Sequence, residues 1–117
     1  MIVVTGLIKV APENRILTIA AARMLMRHSR KEPGNATYQF YEDIDDPATF
    51  RFYEEWYSKQ ALMRHIRADY TVEFRRALAR FGVLSIDIQR FDTSQLDINE
   101  QHSTPQEPRL RLAPLAY

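Results

Sequence analysis

The distribution of apolar residues along the first third of the chain predicts one strand followed by one helix. Residues 2–10 are rich in β-branched side chains and form a short run, so we predict a strand with apolar side chains on both faces. Pro12 suits the first turn of a helix and Asn14 suits its cap. Over residues 15–30 the apolar positions recur at helical spacing and form one stripe, made of Leu17, Ala20, Ala21 and Met24, with His28 next in line.

Residues 31–91 predict three more strands and two helices. Glu32-Pro33-Gly34 ends the first helix, and Pro-Gly suits a type II turn. Alternation of apolar and polar positions predicts strands at residues 36–43, 49–57 and 83–91. Ser58 suits the N-cap of a short helix, and Asp69 begins another helix that Gly82 is well placed to end.

The resulting order of elements is β-α-β-β-α-β, with the second helical region divided in two. This order predicts an α+β, ferredoxin-like domain over residues 1–91, in which helices cover one face of a four-stranded antiparallel sheet. Residues 92–117 are polar and contain three prolines, so we expect a C-terminal tail or arm. Three of its leucines, Leu110, Leu112 and Leu115, suit packing on a partner subunit.

Composition and charge narrow the class of protein. With 117 residues and 45% hydrophobic content, the chain suits one globular domain. A net charge of +1 gives no electrostatic reason to expect nucleic acid or a membrane as partner. The absence of cysteine excludes disulfides and a cysteine nucleophile. No apolar run is long enough to span a bilayer and no signal peptide is evident, so we expect a cytoplasmic protein.

The sheet face away from the helices carries more aromatic side chains than a solvated face usually does. We expect it to present Val3, Leu7, Tyr41, Tyr53, Tyr57, Val83 and Phe91, mixed with Thr5, Gln39, Arg51, Glu55 and Asp87. In the other register of the first strand, Val3 and Leu7 lie on the opposite face. Tyrosines beside arginine and a few acids are typical of an interface, so we predict a homodimer formed through this face.

One group of residues is suited to chemistry. Glu54 and Trp56 are two residues apart on a strand and point to the same, helix-facing side, while His65 follows on the next helix. Tyr38, Phe40 and Phe52 provide aromatic walls, which suit a flat aromatic ligand. The same residues are equally consistent with ordinary core packing, with Glu54 paired to Arg23 or to His65. His28, His65 and His102 share no ligand spacing, so we expect no metal site.

The ordered set Ser29-Arg30-Lys31-Glu32-Pro33-Gly34-Asn35, Tyr38, Asp46-Pro47, Phe50, Glu54-x-Trp56 and Ala61-Leu62-x-x-His65 resembles the antibiotic biosynthesis monooxygenase family over residues 1–91. The resemblance implies a dimeric α+β barrel, with two ferredoxin-like sheets packed face to face. It also implies oxidation of an electron-rich phenol, anthrone or quinol by O2, without a metal or flavin cofactor.

By matching position, the resemblance makes His65 the base, Trp56 a partner of the substrate ring and Glu54 an orienting group. Tyr70 takes a place where many members have a histidine, and Phe52 one where some active members have an asparagine. These two departures favour a second reading, a dimer that binds an aromatic ligand without turnover. A third reading is haem degradation, which is weaker because the first strand offers Thr5 and Gly6 instead of an asparagine.

Overall fold

The computed structural model describes residues 1–95 and 113–114. In chain order the elements are β1 (Ile2–Val10), a 3-10 turn (Pro12–Asn14), α1 (Arg15–Ser29), β2 (Asn35–Glu42), β3 (Thr49–Trp56), α2 (Lys59–Arg67), α3 (Asp69–Arg80), β4 (Val83–Asp92), a second 3-10 turn (Thr93–Gln95) and β5 (Ala113–Pro114).

All strands pair antiparallel in one sheet, in the order β2-β3-β1-β4-β5. The first four strands and the helices between them confirm the predicted α+β, ferredoxin-like βαββαβ fold. The two-residue strand β5 was not predicted, and it pairs with Phe91 and Asp92 of the same chain. The remaining tail residues, with Leu110, Leu112 and Leu115, lie outside the described part of the chain.

Strand register fixes which side chains share a face. Val4 lies between Glu54 of β3 and Arg90 of β4, and Tyr38 of β2 pairs with Glu54, so this row faces the helices. The main core fills the space between that sheet face and the helices, with Ile2, Val4, Ile8, Val10, Leu25, Phe50, Trp56, Leu62 and Leu78 buried. On the opposite face, Val3 pairs with Glu55 and Leu7 with Arg51.

The predicted inner stripe of α1 is wrong by about one position. Leu17 and Met24 are 52% and 57% exposed, while the buried residues are Thr18, Ala22, Leu25 and Ser29. Small side chains let the helix approach the sheet closely, and Thr18 Oγ1 satisfies its hydrogen bond on Asn14 O at 2.8 Å. The helix therefore buries the face that fits the sheet rather than the most apolar face.

Strand β4 departs from the prediction at one residue. The register between β1 and β4 shifts between Lys9 and Val10, so Val83 pairs with Val10 and packs against the core instead of the outer face. Ile86 and Ile88 face the helix layer, but each is about half exposed. This uncovered strip of β4 forms one side of the cavity described below.

The residues at the ends of the helices are partly as predicted. Ser58 Oγ accepts a hydrogen bond from Ala61 N at 3.1 Å and caps α2, and Gly82, at φ 70°, follows the end of α3. Asn14 precedes α1, but its side chain donates to Phe81 O at 2.7 Å instead of capping the helix.

The turn after α1 is not of type II. Asn35 N donates to Glu32 O at 3.0 Å, so the turn is closed, but Gly34 lacks the positive φ that a type II turn needs there. None of the helices in the described part of the chain is long and apolar enough to cross a membrane.

Candidate functional site

A cavity of about 170 Å³ lies between the sheet and the helices and opens along β4. Apolar and aromatic side chains form most of its wall, from Val4, Ile8, Leu25, Tyr38, Phe40, Phe52, Leu62, Ile66, Phe74, Leu78, Ile86 and Ile88. Its polar wall comes from Glu54, His65, Thr71, Arg75 and Arg90. An apolar cavity near this size accepts a benzene-sized molecule, so the enclosed space suits an aromatic ring, and the opening along β4 leaves room for further fused rings.

His65 lies on α2 and is 3% exposed. The Ser58 cap fixes where α2 begins and directs His65 towards the sheet. There its ring lies 4.5 Å from the Trp56 ring and 5.2 Å from the Tyr38 ring, measured between centroids. The imidazole is therefore held between aromatic rings, with one edge on the cavity.

Glu32 holds the other edge of the imidazole. Its Oε2 lies 2.8 Å from His65 Nδ1 and also accepts a hydrogen bond from the Tyr70 hydroxyl. A carboxylate accepts only, so Nδ1 carries a proton and donates it to Glu32, which leaves Nε2 of the neutral ring as the basic atom. Tyr70 in turn stacks on His28 at 5.0 Å.

A close backbone contact brings Glu32 to this position. A Cβ built on Gly34 would stand 2.2 Å from Cβ of Ala61, so the turn that carries Glu32 lies directly against α2. Only glycine fits at that contact, and the contact fixes the distance between the turn and His65.

Glu54 is the second carboxyl group of the site and is 6% exposed. Its Oε1 accepts a hydrogen bond from Trp56 Nε1 at 2.9 Å and lies 3.8 Å from His65 Nε2. The predicted alternative partner, Arg23, is exposed on the outer side of α1, so that pairing is wrong.

Burial shifts the pKa values of these groups in opposite directions. Loss of solvent raises the pKa of Glu54 to about 7, against the smaller effects of the Trp56 hydrogen bond and the Arg90 charge. Loss of solvent lowers the pKa of His65, although Glu32 opposes that shift. Burial also raises the pKa of the Tyr38 hydroxyl. Near neutral pH the site therefore holds a neutral imidazole beside a carboxyl group that is protonated for part of the time.

The structure brings most of the predicted site residues to one cavity. Glu54, His65, Tyr38, Phe40 and Phe52 form part of its wall. Trp56 is fully buried behind Glu54 and His65, and Tyr70 contacts Glu32, so neither is part of the wall.

Several residues of the site were missed by the sequence analysis. Arg75 and Arg90 contribute the positive charge of the wall, Thr71 approaches His65 Nδ1 at 3.5 Å, and Glu32 holds that same nitrogen. The period-2 pattern of β4 places Arg90 on the inner face with Ile86 and Ile88, and this signal could have identified it.

Phe52 forms the floor of the cavity because Gly6 lies beneath it. A Cβ on Gly6 would stand 2.6 Å from Phe52 Cζ and 2.2 Å from Asp87 O, so any larger residue would displace the ring or the backbone.

Within residues 1–95 and 113–114, no group of three or more His, Cys, Asp or Glu side chains is arranged to hold a metal ion.

Solved structures share this fold closely. A "putative antibiotic biosynthesis monooxygenase" from Deinococcus radiodurans superposes with a TM-score of 0.78, covering 87% of this chain and 100% of the other at 20% identity, which shows the fold alone. A conserved protein from Methanosarcina mazei has a TM-score of 0.72 at 26% identity, covering 77% of this chain and 89% of the other.

Sequence similarity identifies the family of this chain. The sequence pattern of the antibiotic biosynthesis monooxygenase family matches residues 1–77, so the chain belongs to that family and the predicted resemblance is confirmed. A Bacillus subtilis protein with the name "Putative monooxygenase YcnE" is 34% identical over 98 residues, or 81% of this chain and 100% of its own length. An uncharacterized protein of Synechocystis sp. is 41% identical over 73 residues, which are 62% of this chain and half of that protein.

Proposed function

We propose that this chain is a monooxygenase that oxidises an electron-rich aromatic compound of the quinol, phenol or anthrone type with O2. Family membership and the names of relatives support a monooxygenase-like function in general. The observation that carries the more specific proposal is the position of His65, with Nδ1 held by Glu32 at 2.8 Å and the opposite edge on an aromatic-walled cavity.

The substrate itself supplies the electrons in the proposed reaction. His65 Nε2 removes the proton of a substrate hydroxyl, or of the ring CH2 of an anthrone, and Glu32 stabilises the imidazolium that forms. The substrate anion then passes one electron to O2, and the two radicals combine at carbon. For a quinol the balance is quinol plus O2 to hydroxyquinone plus water, so one oxygen atom enters the product and the other leaves as water.

The remaining residues of the site have supporting roles. Tyr38, Phe40 and Phe52 pack on the ring and exclude water, which strengthens every charge interaction within the cavity. Trp56 is a positioning residue, because its N–H fixes Glu54 and its ring supports His65. Tyr70 positions Glu32, and Arg75 and Arg90 favour an anionic form of the substrate.

The two alternative functions receive less support. A cavity of about 170 Å³ is much smaller than a porphyrin, which argues against haem degradation. A dimer that only binds an aromatic ligand needs no base, yet this cavity has a buried histidine with a carboxylate behind it.

We also propose that the protein works as a homodimer through the sheet face away from the helices. On that face Tyr41 is 55% exposed, Arg51 is exposed, and β1 contributes Leu7 at the centre. Closure of two such faces would bury aromatic side chains that a monomer leaves in water.

Oxygen uptake on hydroquinones, naphthalene diols and anthrones tests the proposed function, with metal-stripped protein and the variants His65→Gln and Glu73→Gln. Glu73 is an exposed acid paired with Arg80 on α3, so it controls for a change of charge outside the cavity. We expect uptake above the autoxidation blank in the native chain and in Glu73→Gln, and a loss of about 10²-fold or more in His65→Gln. Binding without uptake on every substrate would favour the ligand-binding dimer instead.

A further inference from the structure

Three ionisable side chains form a row beside the cavity, and two of them, Glu54 and His65, are part of its wall. Glu32 Oε2 lies 2.8 Å from Nδ1 of His65, and Nε2 of the same ring lies 3.8 Å from Glu54 Oε1. The oxidation proposed above needs only the first two groups, because removal of a hydroxyl proton requires a base alone. Glu54 is buried at the cavity wall without a necessary part in that reaction.

We propose that His65 and Glu54 act as a base and an acid on one bound molecule, and that they interconvert the keto and enol forms of an aromatic ketone without O2. The inference rests on the proposed function, because it uses the same cavity and the same base. It adds an activity to the chain, the tautomerisation of a carbon acid.

The proposed step is balanced without a further reactant. His65 Nε2 takes a proton from the carbon next to the carbonyl, and Glu54 gives its proton to the carbonyl oxygen, so the C–H electron pair becomes the C=C bond of the enol. The enzyme is left with an imidazolium ion and a carboxylate whose nearest atoms are 3.8 Å apart. The imidazolium releases its proton to solvent and Glu54 takes one from solvent at Oε2, which restores both groups and carries deuterium from D2O into the ketone when the step reverses.

The two carboxyl oxygen atoms of Glu54 differ in their hydrogen bonding. Oε1 is the acceptor for the Trp56 N–H at 2.9 Å, so the proton of the neutral carboxyl group belongs on Oε2. Burial, which raises the pKa of Glu54 to about 7, keeps part of the population in that neutral form near neutral pH. Glu32 keeps the opposite group, His65, in the tautomer that can accept a proton at Nε2.

The cavity defines the class of ketone. Its aromatic and aliphatic wall and its volume of about 170 Å³ suit one or two fused rings, and the base and the acid, His65 and Glu54, lie 3.8 Å apart in that wall. We therefore assign it to ketones whose acidic CH2 lies between the carbonyl group and an aromatic ring. β-Tetralone has two fused rings and such a CH2, and it serves as the probe.

The test is hydrogen–deuterium exchange of β-tetralone in anaerobic D2O buffer, followed by the loss of its C1 proton signal in NMR spectra. The full-length chain is compared with His65→Gln, Glu54→Gln and Glu73→Gln. Glutamine at position 54 keeps the acceptor for the Trp56 N–H, and Trp56 fluorescence checks that each variant is folded. General acid–base catalysis contributes about 10²–10⁴-fold.

We expect exchange at least about tenfold above the buffer blank in the native chain and in Glu73→Gln, and exchange near the blank in both site variants. Exchange at the blank rate in the native chain, absence of β-tetralone binding, or full activity in Glu54→Gln would each overturn the inference. Oxygen uptake without anaerobic exchange would overturn this inference alone. Exchange without oxygen uptake would overturn the proposed monooxygenase alone.

Discussion

At the scale of single residues, the site depends on how burial acts on two neighbouring ionisable groups. Glu54 and His65 lose solvent together, and each is driven towards its neutral form. An ion pair between them is therefore disfavoured. Near neutral pH a neutral imidazole lies beside a carboxyl group that is partly protonated, which is the arrangement that the proposed proton transfers need.

Glu54 should make folding stability depend on pH. Its pKa is raised from 4.5 to about 7 in the folded chain, so between those pH values the folded state binds more protons than the unfolded state. Stability then falls as pH rises through this window, and the loss is complete above about pH 7. His65 acts in the opposite direction, because its lowered pKa costs stability as pH falls below 6.5.

We expect the free energy of unfolding of Glu54→Gln, relative to that of the native chain, to rise by up to roughly 3 kcal/mol as the pH is raised from 5 to 8. Urea unfolding followed by fluorescence of Trp56, the single tryptophan of the sequence, measures this at both pH values. A stability difference between the two proteins that does not change with pH would contradict a raised pKa for Glu54.

Removal of the Glu32 charge should lower the pKa of His65. Glu32 is the group that opposes the effect of burial on this imidazole, so Glu32→Gln leaves burial unopposed. NMR titration of the His65 ring protons measures the change, with Glu73→Gln as the matched control. An unchanged titration midpoint in Glu32→Gln would mean that the carboxylate does not hold Nδ1 in solution.

The sequence allowed part of this site to be predicted. Strand period and the short connection to α2 place Glu54, Trp56 and His65 near one another, because all three are close along the chain. Glu32 could not be predicted, because a carboxylate in a Pro-Gly turn is usually solvated. Its position depends on the contact of Gly34 with Ala61, which only the packed structure reveals.

At the scale of elements, the turn between α1 and β2 is the support of the site. It is closed by the Asn35 N–H to Glu32 O bond and lies against α2 through Gly34. The turn between α1 and β2 is thereby held at a fixed distance from α2. The position of Glu32 beside His65 thus depends on the packing of Gly34 against Ala61.

We expect Gly34→Ala to destabilise the protein by about 1–3 kcal/mol, because the new methyl group overlaps Ala61. Ala61→Gly in the same chain removes the opposing methyl group and should recover part of the loss. Chemical unfolding of the two single variants and the double variant gives the coupling between the positions. Additive effects would show that the turn and α2 are not in contact.

Helix α1 illustrates the limit of hydrophobic periodicity. The stripe through Leu17 and Met24 has correct helical spacing, yet the structure buries Thr18, Ala22, Leu25 and Ser29. Periodicity correctly predicted the helix, but the buried face is the one whose smaller side chains allow close approach to the sheet. The same limit applies to Val83, where a shift of register between Lys9 and Val10 reversed the predicted face.

At the scale of the whole molecule, the two faces of the sheet have separate roles. The helix-facing side forms the core and the cavity, and the opposite side carries exposed Tyr41 and Arg51 beside Leu7. Alternation along each strand lets one sequence encode both faces. The fold was predictable because this alternation is regular in β2, β3 and β4.

We expect a solution mass of twice 13.8 kDa at micromolar concentration, by sedimentation or by light scattering after size exclusion. Leu7→Asp places a charge at the centre of the proposed interface and should yield the single-chain mass. Leu17→Asp is the same substitution on the exposed side of α1 and should leave the dimer intact. A single-chain mass for the native protein would contradict the proposed dimer.

Oxidation with 18O-labelled O2 tests the central claim most directly. The substrate is a hydroquinone or naphthalene diol that the chain turns over, and the product is analysed by mass spectrometry at early times. We predict one 18O atom in the quinone product of the native chain, the second 18O atom in water, and neither above the blank in His65→Gln. Quinone without the label, formed together with hydrogen peroxide, would contradict a monooxygenase.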